Sequence, residues 1–143
     1  DGTLRFTPWQ GLLLPNAKRH AAAAITARLE QLGFLCSAEQ PLAHLIACTG
    51  SSGCGKGLAD TKADAVQLAA LHPGHAVHLS GCPRSCAAAH SAPVTLLAVS
   101  PGHYDVYFRE AAQPGFGRLH ARTLSIEAAG ALLRAHPRSN TDD

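Results

Sequence analysis

Two closely spaced pairs of cysteines constrain this chain more than any other feature. Five residues separate Cys48 from Cys54, three separate Cys82 from Cys86, and 27 residues lie between the pairs. A thiol binds metal as the thiolate, and the charge of the metal makes that deprotonation favourable. The pattern therefore predicts that the four cysteines converge on one metal centre.

The spacing favours an iron–sulfur cluster over a single zinc ion. Structural zinc sites commonly place about two to four residues between paired cysteines. The longer first gap contains Gly50 and Gly53, which can adopt positive φ and present N–H groups to the sulfides of a bulkier cubane. Gly81 and Pro83 flank the second pair, where the glycine permits close backbone approach and the proline stiffens the turn. We rank an iron–sulfur cluster first, zinc second and a pair of disulfides third.

The rest of the composition is that of a chain with one modest core. It has 143 residues, of which 46% are hydrophobic, and a chain of this size can bury a core. The formal net charge of +2 gives no electrostatic footprint for nucleic acid, and no apolar run approaches the ~18 residues of a membrane span. The fifth cysteine, Cys36, follows an apolar helix end and is predicted to be a buried small hydrophobe.

The order of predicted elements indicates an α/β fold. A strand over 4–14, interrupted at Pro8, leads into a helix over 17–32, with Asn16 as N-cap and Gly33 ending the helix. Downstream we predict an apolar segment over 41–47, a helix over 61–71, strands over 75–80, 94–99 and 104–108, and a helix over 126–135 capped by Ser125. Strands alternating with helices in this order are typical of α/β domains.

The chain resembles the nitrite/sulfite reductase family in one strand and in both cysteine pairs. Residues 5–15 read RFTPWQGLLLP, similar to the family's R-x-T-x-x-Q strand, and the pairs match its Cys-x5-Cys and Cys-x3-Cys. The resemblance implies a split ferredoxin-like half-domain over 1–40, a small α/β iron–sulfur domain over 41–137 and a polar tail over 138–143. It covers nearly the whole chain, but only the second half of a full-length member.

The same resemblance implies a set of site residues. The ligands of a 4Fe-4S cluster would be Cys48, Cys54, Cys82 and Cys86, the last of which also bridges to the macrocycle iron in siroheme-bearing relatives. The strand that faces the tetrapyrrole would contribute Arg5, Thr7 and Gln10. Arg5 is a candidate for pairing with substrate carboxylates, which a guanidinium binds bidentately. Trp9 is either a core residue or a stacking surface for the macrocycle.

Within that family, the Thr-Pro-Trp strand followed by leucines most resembles the precorrin-3B synthases. Where reductases commonly have Pro-Asn-Gly inside the second pair, this chain has Pro83-Arg84-Ser85. The added cation agrees with a carboxylate-rich tetrapyrrole as substrate, although Arg84 could equally tune the cluster potential or contact the partner half. The implied reaction is dioxygen-dependent hydroxylation of precorrin-3A with γ-lactone formation, in aerobic cobalamin biosynthesis.

This resemblance sets the expected cofactors and partners. It implies a mononuclear non-haem iron besides the cluster, an electron donor, dioxygen, the N-terminal half of the same protein and a cytoplasmic location, without nucleic acid or membrane. Neither His78 nor His90, the nearest candidates, is assigned as an iron ligand, because a lone histidine beside a strand is more often packed or solvent-facing. The alternatives are a siroheme-dependent nitrite or sulfite reductase and a non-catalytic iron–sulfur or zinc module.

Overall fold

The protein consists of two compact units, Asp1–Cys36 and Ser37–Asp143. This computed structural model describes residues 3–8, 11–71, 76–88, 92–110 and 113–136. None of the helices in these ranges is long and apolar enough to cross a membrane. The site residues proposed from the sequence are divided between the two units, with the paired cysteines all in the second.

The first unit begins with a two-stranded antiparallel ribbon in place of one interrupted strand. Strand β1 (Arg5–Phe6) pairs with β2 (Leu12–Leu13). Thr7 closes the connection, since its N–H donates to the Gly11 carbonyl at 2.9 Å and its Oγ1 accepts the Gly11 N–H at 3.0 Å. Pro8 cannot donate a ladder hydrogen bond, so the chain turns there.

The helix of this unit starts later than the sequence indicates. A 3₁₀ turn over Arg19–Ala21 precedes helix α1 (Ala22–Gln31). Asn16 is not the N-cap, because its backbone adopts the left-handed conformation with φ 63°, which asparagine tolerates better than most residues. Gly33 ends the helix as predicted: its φ is 85° and its N–H donates to the Glu30 carbonyl at 2.9 Å.

The second unit is built on a five-stranded mixed sheet. In spatial order its strands are β3 (Leu45–Ala47), β4 (Val77–Ser80), β5 (Val94–Ser100), β6 (His103–Phe108) and β7 (Arg118–Ser125). The first three run parallel, and β5, β6 and β7 pair antiparallel. A 3₁₀ turn over Pro41–His44 precedes β3, helix α2 (Thr61–Leu71) connects β3 to β4, and helix α3 (Ile126–Ala135) follows β7. The α/β fold class is therefore confirmed.

Alternation along the strands puts one face of the sheet against both helices. Leu79, Leu96 and Tyr104 from the strands pack in one buried cluster with Leu68 of α2 and Leu133 of α3. Since all five are fully buried, this cluster is the core that fixes the sheet beneath the helices.

The opposite face of the same strands carries polar side chains that are also buried. His78 is 1% exposed, and neither of its ring nitrogens has a hydrogen-bond partner among the described residues. Thr95, its neighbour on β5, is fully buried as well. Burial disfavours the charged imidazolium, so the pKa of His78 lies below its ordinary value.

Strand β7 was missed by the sequence pattern because a bulge interrupts its alternation. Thr123 has φ 53°, and the register against β6 shifts on either side of Val106. The Asp105 carboxylate accepts the Thr123 N–H at 2.9 Å, which fixes the bulge. The chain therefore presents Ala121 and then Leu124 to the core, a step of three where a regular strand has two.

Candidate metal centre

All four paired cysteines line one pocket at the carboxyl ends of two parallel strands. Cys48 follows β3 directly, and Cys82 follows β4 after one residue. Open α/β sheets bind ligands at this edge. The pocket encloses about 350 Å³ of empty volume, including solvent at its mouth, and its lining is Cys48, Thr49, Cys54, Gly57, Ser80, Gly81, Cys82 and Cys86. The two cysteine loops, far apart in sequence, thus meet at one place.

Close backbone packing shapes the loop of the first pair. Gly50 has φ 69°, and a Cβ at this position would lie 2.7 Å from the backbone nitrogen of Thr61. A Cβ on Gly57 would lie 2.6 Å from the carbonyl carbon of Gly50. Because real Cβ atoms essentially never approach other atoms this closely, a side chain at Gly50 would push the loop away from α2, and one at Gly57 would distort the loop itself.

A main-chain hydrogen bond joins the two cysteine loops, since the Leu58 N–H donates to the Gly81 carbonyl at 2.9 Å. Within the first loop, the Cys54 N–H donates to the Gly50 carbonyl at 2.9 Å. Beside the second pair, Ser80 Oγ donates to the Cys82 carbonyl at 2.7 Å. These contacts hold both loops in place through their backbones.

Hydrogen-bond donors surround the sulfur of Cys48. The Gly81 N–H donates to Cys48 Sγ at 3.1 Å, and Thr61 Oγ1 lies 3.6 Å from the same atom. Burial opposes ionisation of this thiol, but hydrogen bonds, chiefly those from Gly81 and Thr61, outweigh burial and hold the pKa of Cys48 below its ordinary value. The surroundings of Cys48 therefore favour its metal-binding thiolate form.

The N-terminus of α2 contributes to the same environment. Thr61 is the first residue of the helix, and the Asp60 carboxylate caps it by accepting the Ala63 N–H at 3.3 Å. The Tyr104 hydroxyl, buried in the core, donates to the Asp64 carboxylate and anchors the first turn. Burial and the Asp64 charge raise the pKa of Tyr104, so the phenol stays protonated. The positive end of the helix dipole thus lies beside Cys48, where it favours negative charge.

The donor set fits a multi-iron cluster better than one ion. All five cysteines are free thiols, so the disulfide alternative is not formed. Among the described residues, no group of three His, Cys, Asp or Glu side chains is arranged to hold a single metal ion. The ligands of one zinc ion would have to converge to about 2.3 Å from it. In a cubane each thiolate binds a different iron, which suits four thiols spread around a shared pocket.

The other predicted site residues lie in the first unit or outside the described ranges. Arg5 is exposed on β1, and Thr7 is occupied in the turn with Gly11. The structure does not describe Trp9, Gln10 or His90. The prediction that Cys36 is buried is wrong: its side chain is exposed, with Sγ 3.8 Å from the Phe34 carbonyl oxygen. It lies beyond the end of α1, and none of the described residues of this unit is buried.

Two residues of the pocket region carry roles that the sequence did not suggest. Thr61 was predicted only as part of a helix start, yet its hydroxyl reaches both the carbonyl and the sulfur of Cys48. Ser80 lines the pocket and braces the second cysteine loop. Their only sequence signal is position. Thr61 begins the helix that follows the first cysteine loop, and Ser80 ends the strand that precedes the second.

Comparison with known proteins supports the fold. No family model and no curated protein sequence matches the chain. Among solved structures, the NirA protein of Mycobacterium tuberculosis is similar, with a TM-score of 0.71 and 24% sequence identity. The match covers 90% of this chain and 28% of the NirA chain, so the protein has the fold of a part of NirA.

Proposed function

We propose that this chain is the cluster-binding part of an oxidoreductase of the nitrite/sulfite reductase type. The observation that carries the proposal is the single pocket lined by Cys48, Cys54, Cys82 and Cys86. These cysteines would hold a 4Fe-4S cluster, which supplies one-electron transfer when bound. The fold shared with a part of NirA supports the proposal at the level of architecture.

The surroundings of the pocket suit an electron carrier that is partly exposed to solvent. On the inner side, the Gly81 N–H and the start of α2 stabilise negative charge at Cys48. On the outer side, Cys86 is exposed. An exposed thiolate is the one that a neighbouring tetrapyrrole could approach, as the last cysteine does in the siroheme-bearing relatives that the sequence resembles.

The first unit supports the proposal that another polypeptide segment completes the enzyme. None of its described residues is buried, and Phe6, Leu13 and Leu32 are 81%, 53% and 59% exposed. Apolar surface of this extent in a small unit commonly marks an interaction site. We propose that the N-terminal half of the same protein covers it, and that Arg5, Thr7 and Gln10 then face the tetrapyrrole.

We propose siroheme-dependent reduction of nitrite or sulfite as the activity. This chemistry requires a cluster and an adjacent tetrapyrrole, together with an electron donor. Dioxygen-dependent hydroxylation requires a mononuclear non-haem iron as well, with two histidines and a carboxylate as its usual ligands. Among the described residues, no group of three such side chains is arranged for a metal ion, so that iron would need ligands from the completing segment or from outside the described ranges.

Precorrin-3B synthase is the second candidate, favoured by the residues inside the second cysteine pair. Arg84 is exposed between Cys82 and Cys86, where its guanidinium could bind substrate carboxylates. Ser85 has φ 53° at the position where reductases commonly have glycine. The turn thus has a left-handed residue that carries a side chain, in a conformation that glycine adopts more readily.

Anaerobic purification with iron, sulfide and visible-absorption analysis tests the proposal. We expect about four irons and four sulfides per chain and, with the tetrapyrrole bound, the sharp bands of siroheme. A brown protein without siroheme that turns over precorrin-3A and dioxygen would establish the second candidate instead. A colourless protein with one zinc per chain would overturn both.

The ligand assignment has its own test in a pair of cysteine variants. We expect Cys82→Ser to lose the cluster, and with it iron, sulfide and part of the free energy of unfolding, because a cluster thiolate is removed. The matched control is Cys36→Ser, which removes an exposed thiol outside the pocket and should keep full iron and sulfide content. Retention of both by Cys82→Ser would show that the assignment is wrong.

A further inference from the structure

We propose that Thr61 tunes the reduction potential of the cluster through a hydroxyl hydrogen bond that it gives to the Cys48 thiolate. This inference rests on the proposed cluster. Thr61 lies outside the cysteine loops, at the start of α2. It would act on the cluster through Cys48, so it is a positioning and tuning residue and not a ligand.

The Thr61 hydroxyl has two acceptors within reach. Its Oγ1 lies 2.8 Å from the Cys48 carbonyl oxygen and 3.6 Å from Cys48 Sγ. A hydroxyl has one proton, so it can donate to only one of them at a time. Rotation of the hydroxyl proton about the Cβ–Oγ1 bond chooses between the carbonyl and the sulfur.

Binding of iron to Cys48 decides which atom donates in the hydrogen bond between Thr61 Oγ1 and Cys48 Sγ. In the free thiol either atom can be the donor. A thiolate bound to iron has no proton, so Cys48 Sγ can only accept and Thr61 must donate. Charge-assisted hydrogen bonds strengthen as the acceptor becomes more negative. Thr61 would therefore stabilise the reduced cluster more than the oxidised one and raise its potential.

Two features make this contact consequential. Thr61 is fully buried, so water cannot take over its hydrogen bond. Among the described residues, Thr61 is also the only one whose side chain hydrogen-bonds to the sulfur of a paired cysteine. The remaining donors to Cys48, of which Gly81 is the strongest, act through the backbone. A substitution at Thr61 can therefore remove a donor to the sulfur without altering the backbone donors.

The position of the hydroxyl is fixed from two sides. The backbone of Gly50 packs so closely that a Cβ there would lie 2.8 Å from Thr61 Oγ1. The first turn of α2 is anchored by the hydrogen bond between Tyr104 and Asp64. The hydroxyl can thus change its acceptor by rotation of its proton, while the oxygen stays in place.

Redox titration of the anaerobically purified protein, followed by electron paramagnetic resonance, tests the inference. In Thr61→Val we expect a lower midpoint potential, equivalent to a roughly threefold to tenfold smaller ratio of reduced to oxidised cluster at a fixed applied potential. Thr61→Ser, which keeps the hydroxyl, should titrate close to the natural protein. Iron and sulfide are measured in parallel, and Thr61→Ala serves as a second variant without the hydroxyl.

The outcomes separate this inference from the proposed function. If the natural protein contains no iron or sulfide, the proposed function fails. If cluster-loaded Thr61→Val and Thr61→Ser both have the midpoint potential of the natural protein, the proposed cluster is retained and the tuning role is overturned. Loss of the cluster in both Val and Ala variants but not in Ser would also overturn tuning, because the hydroxyl would then be needed for retention.

Discussion

At the scale of single residues, Cys48 and Cys86 have the most different surroundings of the four thiols in the pocket. Cys48 is partly buried and accepts a hydrogen bond from the Gly81 N–H. Cys86 is exposed, and its sulfur makes no hydrogen bond to another of the described residues. Donors stabilise negative charge on a thiolate, so a cluster held here would be electronically asymmetric, with its charge drawn toward the sheet and its outer corner left accessible.

His78 is the other residue whose environment has a measurable consequence. It is buried on the sheet face opposite the helices, with no partner among the described residues for either nitrogen. An unpaired buried polar group costs stability, and replacing it by an apolar side chain of similar shape is often neutral or stabilising. The ring is also held neutral, because burial lowers its pKa.

We predict an acid-dependent loss of stability through His78. Its pKa in the folded protein lies below the ordinary 6.5, so in acid the unfolded chain binds a proton that the folded protein does not. The free energy of unfolding should therefore be unaffected by this group above about pH 6.5 and fall as the pH drops below it.

Urea denaturation across that pH range measures the effect. His78→Leu should flatten the dependence, whereas His103→Gln, which changes an exposed histidine, should leave it unchanged. An equal acid dependence in His78→Leu and the natural protein would contradict the prediction.

At the scale of elements, the bulge in β7 depends on one carboxylate. Asp105 is largely buried, accepts the Thr123 N–H at 2.9 Å and lies 3.7 Å from the Arg122 guanidinium. The Arg122 side chain is 72% exposed, and exposed ion pairs contribute little to stability. The hydrogen bond to the backbone is therefore the contact that matters for the bulge.

We predict that Asp105→Ala destabilises the second unit by about 1–3 kcal/mol, because the Thr123 N–H loses its acceptor. The control Arg122→Ala should cost less than about 1 kcal/mol. Equilibrium unfolding in urea measures both. Equal losses in the two variants would mean that the ion pair, rather than the bulge, is the source of the stability.

The elements also divide into those that local signals predict and those that they do not. Helices α2 and α3 match their predicted spans because each has a capping residue, Asp60 or Ser125, before an apolar pattern. Strand β7 was not predicted because the bulge at Thr123 interrupts its alternation of side chains. Helix α1 starts later than predicted because the Asn16 backbone is left-handed. These two conformations depend on neighbouring strands and turns, which local sequence does not encode.

At the scale of the whole molecule, the two units differ in how much they bury. The second unit has a continuous core between its sheet and helices α2 and α3. In the first unit, by contrast, no described residue is buried. The α/β class could be predicted from the order of the elements, and the meeting of both cysteine pairs from their spacing. The contacts of Thr61 and Ser80 could not be predicted, because they arise only from tertiary packing.

We predict that the two units differ in amide hydrogen exchange. Amides of β4, β5 and β6 should exchange slowest, because the strands are central and their side chains largely buried. Amides of β1, β2 and α1 should exchange much faster, and they should gain protection when a completing segment binds. Exchange followed by mass spectrometry measures this, with α3 as an internal reference; equal protection of both units would contradict it.

The hydrogen bond between Leu58 and Gly81 has a consequence for how the protein matures. It joins the two cysteine loops through their backbones, with an N···O distance of 2.9 Å, and involves no thiol. A cluster would therefore bind to a site that the fold has already formed. Delivery of iron and sulfide would then be a loading step that follows chain folding, unlike small zinc modules in which the metal drives the folding itself.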